Sequence, residues 1–129
     1  MLSKLFRCIT EKGETGSTVY LSGEIDYAAS LELVPWLDDL VTECEGHLLF
    51  DLAGVTLIDS EGIKMLMEAA DRIRDKRLSA RVIRTSAAAD RIMRMAGVSE
   101  FLEIGGPDGA SWTESLARQF FDARRIPHA

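Results

Sequence analysis

Histidine is nearly absent from this chain of 129 residues, which holds only His47 and His128. No serine can be matched with a histidine, so a hydrolase triad and a His-rich metal site both lack their raw material. Cysteine is equally scarce. Cys8 and Cys44 fall in different predicted elements with no CxxC or Cys/His spacing, and they read as reduced, small core or half-exposed residues. No apolar run approaches the ~18 residues of a membrane span. Behind Met1-Leu2-Ser3-Lys4, with its one basic residue, no long apolar stretch follows. A signal peptide is therefore not expected, and the default location is cytoplasmic. Gly105-Gly106-Pro107-Asp108-Gly109 has no Lys-Ser/Thr after it and reads as a turn, not a phosphate-cradling loop. These gaps argue against an enzyme, a resident metal or a cofactor.

What is present is ordinary for a soluble globular protein: 47% apolar and 28% charged residues, in a length that suits one domain over 1–129. The net charge is −6, and the Lys and Arg residues are dispersed. Nucleic acid and anionic membrane are poor partners for such a surface.

The hydrophobic pattern alternates between the two periods. Leu5–Ile9 and Thr18–Leu21 read as strands joined by a polar turn over Glu11–Gly16, and Gly23-Glu24-Ile25-Asp26 breaks the second. From about Ala28 to Cys44, the residues Leu33, Leu37, Leu40, Val41 and Cys44 recur at helical spacing. Pro35 favours a looser first turn ending near Val34, with the regular helix opening at the proline. His47–Leu52 is apolar enough for a parallel strand covered on both faces. After a turn at Gly54 and a second apolar patch, a helix runs from about Ser60 to Lys76 with Ile63, Leu66, Met67, Ala70 and Ile73 as its inner stripe. Ala80–Arg84 is a fourth strand, followed by a helix capped at Thr85 or Ser86, with Ala89, Ile92, Met93 and Ala96 inward and Gly97 as its stop. Phe101–Ile104 reads as a short last strand. A final helix from Ser111 to Arg125 carries Trp112, Leu116 and Phe120 inward.

The order β-β-α-β-α-β-α-β-α predicts an α/β fold: a mainly parallel or mixed sheet of about five strands with helices mostly on one face, over a core of about 5–104. In such sheets function gathers at the carboxyl ends of strands, which here carry Asp26, Asp59, Ser60 and Thr85. Asp59 reads as a helix N-cap that also fixes the hydroxyl of Ser60. Free N–H groups and the helix dipole there favour a negative group such as a phosphoryl. Gly62, in the first turn, leaves room for another backbone to approach. Met67 and Met93 fall on core stripes, leaving Met65 and Met95 as candidate exposed contacts.

Four segments carry a family resemblance: Leu21-Ser22-Gly23-Glu24-Ile25-Asp26, Phe50-Asp51-Leu52-Ala53-Gly54-Val55, Ile58-Asp59-Ser60-Glu61-Gly62-Ile63 and Arg91-Ile92-Met93-Arg94-Met95-Ala96-Gly97-Val98. In this order the chain resembles a stand-alone STAS domain (sulfate transporter and anti-sigma factor antagonist) of the bacterial anti-sigma factor antagonist type. The resemblance implies partner switching. Ser60 would be phosphorylated by an anti-sigma factor that is itself a serine/threonine kinase, and reset by a PP2C-type phosphatase. The unphosphorylated antagonist would bind the kinase and free the sigma factor. Asp26, Asp59, Ser60, Glu61, Gly62 and Thr85 would form the docking surface. Glu61 stands where many members carry a second Ser or Thr, so one hydroxyl is available.

Two other readings are open. One keeps the fold but makes the chain a subunit of a transporter-associated or stressosome-like assembly with no phospho-switch. The other is a small nucleotide-binding α/β domain using the rim near Asp26 and Thr85. The 111–125 helix reads either as a cover for the sheet or as part of a partner or homodimer surface.

Overall fold

The computed structural model describes residues 5–104. Strands β1 (Phe6–Lys12) and β2 (Gly16–Ile25) precede helix α1 (Tyr27–Glu43), strand β3 (His47–Ile58), helix α2 (Ser60–Asp75), strand β4 (Ala80–Thr85), helix α3 (Ala87–Met95) and the single turn α4 (Ser99–Leu102). The four strands lie in the order β1-β2-β3-β4. β1 is antiparallel to β2, and the β2–β3 and β3–β4 pairs are parallel.

β3 shows why the apolar run of the sequence becomes the centre of the sheet. Successive side chains point to opposite faces, so Leu48, Phe50 and Leu52 enter the main core while Leu49 and Asp51 face the other way, and all five are buried. α1 and α2 pack against each other and close this core with Leu33, Leu37, Val41, Ile63, Leu66, Ala70 and Ile73. Met93 and Leu102 complete it from α3 and α4. On the opposite face the buried Asp51 carboxylate is held by Arg84, whose Nε and Nη2 both donate to Oδ2 at 2.9 and 2.7 Å, while the Ala53 N–H donates to Oδ1 at 3.0 Å.

The α1–α2 pair is tied at its far end as well. α1 contains no Lys or Arg, and Asp38, Asp39 and Glu43 sit toward its C-terminus, where the helix dipole disfavours acids. α2 supplies the missing cations. Lys76 Nζ donates to the carbonyls of Val41, Thr42 and Cys44, and Arg72 reaches Asp38 Oδ1 at 2.7 Å and Thr42 Oγ1 at 2.9 Å.

Four expectations need correction. Gly54 is not a turn: β3 runs through it to Ile58 with Gly54 opposite Ser22, where an added Cβ would sit 2.7 Å from the Ser22 Cβ. β2 likewise continues through Gly23, which takes a φ of +86°, to Ile25. Pro35 lies inside one continuous helix beginning at Tyr27, on an exposed face. Phe101–Ile104 is not a strand. Leu102 is buried in a helical turn, the Phe101 carbonyl accepts from Arg74 at 2.6 Å, and Glu103 ends the turn at φ +52°. The sheet thus has four strands among the described residues, and the expected turn at 105–109 and helix at 111–125 lie outside them.

Gly62 meets a close backbone, as its position suggested: a Cβ there would stand 2.6 Å from the Ile25 carbonyl oxygen. Overpacking costs about 1–3 kcal/mol, and the ~1 kcal/mol gained in helix propensity offsets only part of it. Gly62→Ala is expected to lower stability by about 1–2 kcal/mol in urea unfolding; a stabilised variant would contradict this packing. His47 gives a second test. Its pKa is lowered from the ordinary 6.5, first by burial and second by the Arg81 charge, and its Nδ1 accepts from the Ser79 N–H at 3.0 Å. The unfolded chain therefore binds the proton more readily, so this contribution is whole above 6.5 and is lost as pH falls toward the folded value. Thermal melts between about pH 7 and 5 are expected to show a shallower decline for His47→Asn than for the parent.

Candidate functional site

β2 and β3 run parallel and end level, with Ile25 opposite Ile58. The next residue of each strand is an aspartate, and each aspartate caps the helix that follows. The amino ends of α1 and α2 therefore lie side by side at one edge of the sheet.

Asp26 Oδ1 accepts from the Ala29 N–H at 2.9 Å, which is local capping. Asp59 does more. Its Oδ1 accepts from the Glu61 and Gly62 N–H groups, both at 3.0 Å, and its Oδ2 accepts from the Tyr27 N–H of the other helix, also at 3.0 Å. One carboxylate thus satisfies orphan donors of two helices and fixes their separation. Charge-assisted bonds of this kind are the stronger class.

Ser60 is the first residue of α2 and is exposed. Its Oγ takes part in none of the hydrogen bonds among the described residues. Glu61 beside it is exposed, and Asp26 and Asp59 are half-buried. Gly62 is buried and serves the rim by letting α2 approach β2, not by offering a contact.

The expected pool of free N–H groups at the start of α2 is largely taken. The Asp59 N–H donates to the Ile25 carbonyl at 3.3 Å, and Asp59 itself holds Glu61 and Gly62. Only the Ser60 N–H lacks a partner there among the described residues. A phosphoryl group on Ser60 would face solvent beside Asp59 and Glu61, not sit in a ready cradle of amides.

The structure does not bring Thr85 to this rim. Thr85 pairs with Leu52, six residues before Ile58 on β3, which is roughly 20 Å of extended strand. Its side chain is 1% exposed. The cause is the continuation of β3 past Gly54, which carries the Asp59 end far beyond the end of β4. Ser86, not Thr85, caps α3, accepting from the Ala89 N–H at 3.0 Å. Met65 is also not an exposed contact: it is buried in the core, Met67 is half-buried, and Met95 is the exposed one at 77%. Ile92, expected inward, is 37% exposed.

Sequence reasoning missed the bridge from Asp59 to Tyr27. The repeated signal, an aspartate directly after Ile25 and again directly after Ile58, was available to find it.

Among the described residues no group of three or more His, Cys, Asp or Glu side chains could hold a metal ion. No helix among them is long and apolar enough to cross a membrane.

Comparison with known proteins places this geometry. The STAS domain family model matches residues 9–107. An anti-sigma factor antagonist from Mycobacterium paratuberculosis superposes with a TM-score of 0.72 at 22% identity, covering 84% of this chain and 94% of that one. The anti-sigma factor antagonist SpoIIAA in its unphosphorylated form gives 0.68 at 13% identity, covering 88% and 95%. The Bacillus cell fate determinant SpoIIAA in its phosphorylated form gives 0.64 at 10%, covering 85% and 99%. At these identities the likeness is one of fold. No curated protein matches the chain.

The substitutions that test the site concern Asp59. An N-cap aspartate contributes about 0.5–2 kcal/mol, and here a hydrogen bond to a second helix adds to it. Asp59→Ala is expected to cost about 2–3 kcal/mol in urea unfolding, with Asp59→Ser intermediate because a hydroxyl caps one helix only. A loss below about 0.5 kcal/mol for Asp59→Ala would show that the bridge contributes little.

Proposed function

We propose that this chain, which belongs to the STAS domain family, is an anti-sigma factor antagonist switched by phosphorylation of Ser60. One observation carries the reading. An exposed hydroxyl, bonded to no described group, stands at the first residue of α2, next to Asp59, whose carboxylate ties α1 to α2, and on the sheet edge where Asp26 caps α1. Such a hydroxyl is open to a kinase without any rearrangement of the fold. The named antagonists of similar fold, one of them solved in both unphosphorylated and phosphorylated forms, support the same role.

The partner in this reading is an anti-sigma factor that is a serine/threonine kinase. It binds when Ser60 is a free hydroxyl and is released when Ser60 carries phosphate; a PP2C-type phosphatase restores the first state. The role is regulatory, with no catalysis by this chain, and it is exercised in the cytoplasm. Asp26, Asp59, Ser60 and Glu61 line the contact, and Gly62 supports it from below.

The physics favours release. Phosphorylation adds about −1.5 to −2 charge and three acceptor oxygens. A partner surface fitted to a neutral hydroxyl would have to bury an unpaired charge, which costs several kcal/mol, or orders of magnitude in affinity. The fold itself tolerates the change. Like charges about 4 Å apart in water repel by only about 1 kcal/mol per pair, and the helix dipole returns about 0.3–1 kcal/mol.

Calorimetric titration with the cognate kinase, with each variant checked for an unchanged melt, is the test. Ser60→Ala is expected to bind at least as tightly as the parent and to resist phosphorylation, and Ser60→Asp to bind more than about tenfold more weakly. Equal affinity of all three, with no phosphate incorporated into the parent, would instead fit a static subunit of a larger assembly.

A further inference from the structure

The Ser60 rim opens onto a groove between α1 and α2. Its first section, about 310 Å³, is lined by Tyr27, Leu31, Val34 and Pro35 of α1 and by Glu61, Lys64, Met65 and Glu68 of α2, among others. A second section of about 290 Å³ shares Val34, Met65 and Glu68 with the first and continues to Asp38, Asp71 and Arg72. The two make one channel along the helix pair, and its near end is the turn that carries Ser60.

The channel has an apolar wall that the fold does not use. Tyr27, Leu31 and Val34 fall at i, i+4 and i+7, so they form one ridge of α1, and they are 58%, 59% and 37% exposed. α1 turns Leu33, Leu37 and Val41 to the core, and this ridge continues the apolar surface beside them while remaining exposed.

The rim of the channel is acidic. Glu61, Glu68, Asp38 and Asp71 are set against Lys64 and Arg72. Arg72 is already committed to Asp38 at 2.7 Å. That leaves Glu61, Glu68 and Asp71 facing one lysine. α1 adds no positive charge, because it contains neither Lys nor Arg.

We infer that this groove seats an amphipathic helical segment of the anti-sigma partner, with a ridge of about three apolar side chains flanked by Lys or Arg. The inference rests on the reading of Ser60 as the docking point and extends that contact along the α1–α2 pair. The apolar ridge supplies burial, and the carboxylates select positive flanks against negative ones. The groove is continuous with the switch, since Tyr27 and Glu61 belong to both: the Tyr27 and Glu61 N–H groups both donate to Asp59 while their side chains line the channel.

Two probes test it on the full chain. The first is a synthetic helical peptide with a leucine ridge and lysine flanks, titrated by NMR beside its glutamate-flanked counterpart. Shifts confined to Leu31, Val34, Lys64 and Glu68, with the lysine peptide at least about tenfold tighter, are expected. The second is the purified cognate anti-sigma factor. Tyr27→Gln and Leu31→Gln are each expected to weaken it by about tenfold, and Glu68→Lys to weaken it further at low salt than at high salt. Ile9→Thr, on the exposed side of β1, should change nothing. Melts of all variants should match the parent, since these side chains lie outside the core. If Ser60→Asp weakens binding but Tyr27→Gln and Leu31→Gln do not, the groove proposal is overturned and the switch stands. If none of the three matters, both fail. Loss of self-association by the groove variants with unchanged anti-sigma affinity would also overturn it, assigning the face to a second copy of the chain.

Discussion

The Asp59 carboxylate is the point on which the arrangement of this rim depends. A serine or threonine cap offers one oxygen and satisfies one helix. The carboxylate offers two, and here Oδ1 serves α2 while Oδ2 serves α1. Because β2 and β3 end level, the Tyr27 N–H stands within reach. Gly62 is the counterpart of this bond. With a Cβ at residue 62, α2 could not come so close to the Ile25 carbonyl, and the two helix ends could not share one acceptor. The exposure of Ser60 follows directly: the residue after a cap occupies the first helical position, and at this cap that position points out from the sheet.

The same bond changes how a phosphate on Ser60 would be accommodated. An uncapped helix start offers several amides to an anion. Asp59 has already taken those of Glu61 and Gly62, and the Asp59 amide is bonded to Ile25. A phosphoryl group would therefore remain on the surface as a hydrated charge between carboxylates. For a switch this is the more effective placement, because a phosphate folded back against the helix would be partly neutralised and partly hidden from a partner.

Most of the architecture could be read from the residues because hydrophobic period and capping chemistry are local. The stripe Ile63, Leu66, Ala70, Ile73 placed α2, and the apolar run from Leu48 placed the central strand. The errors fall where a distant contact overrides a local signal. Gly54 reads as a turn, but the neighbouring strand β2 is close enough at Ser22 that only a glycine fits, so the strand goes straight on. Phe101–Ile104 has strand composition, yet Arg74 captures its carbonyl and Leu102 is drawn into the core. Met65 was misplaced because α2 is covered by α1 as well as by the sheet, which widens its buried face beyond one stripe. Thr85 was misplaced by inheritance: once β3 is taken to end near Leu52, every strand end falls on one rim. The positions of Ser60 and Glu61 next to the cap Asp59 were legible from the cap pattern alone, whereas the second-helix bond and the groove depend on how α1 and α2 meet.

On the proposed reading an acidic rim would gain still more negative charge while facing a partner with basic flanks, and magnitudes resolve the conflict. Attraction between hydrated charges acts over about a Debye length, ~8 Å at physiological salt, and chiefly raises the rate of encounter. Glu61, Glu68 and Asp71 are exposed along the channel and would act in this regime. A phosphate at residue 60 works in another, because in the complex it would lie inside the contact, where its lost hydration costs several kcal/mol unless matched donor for donor. The added long-range attraction is worth about 1 kcal/mol or less per pair. Desolvation therefore dominates, and the phosphorylated form should still meet its partner quickly but leave it far sooner. The switch on this reading acts on dissociation, and the acidic groove keeps association fast in both states.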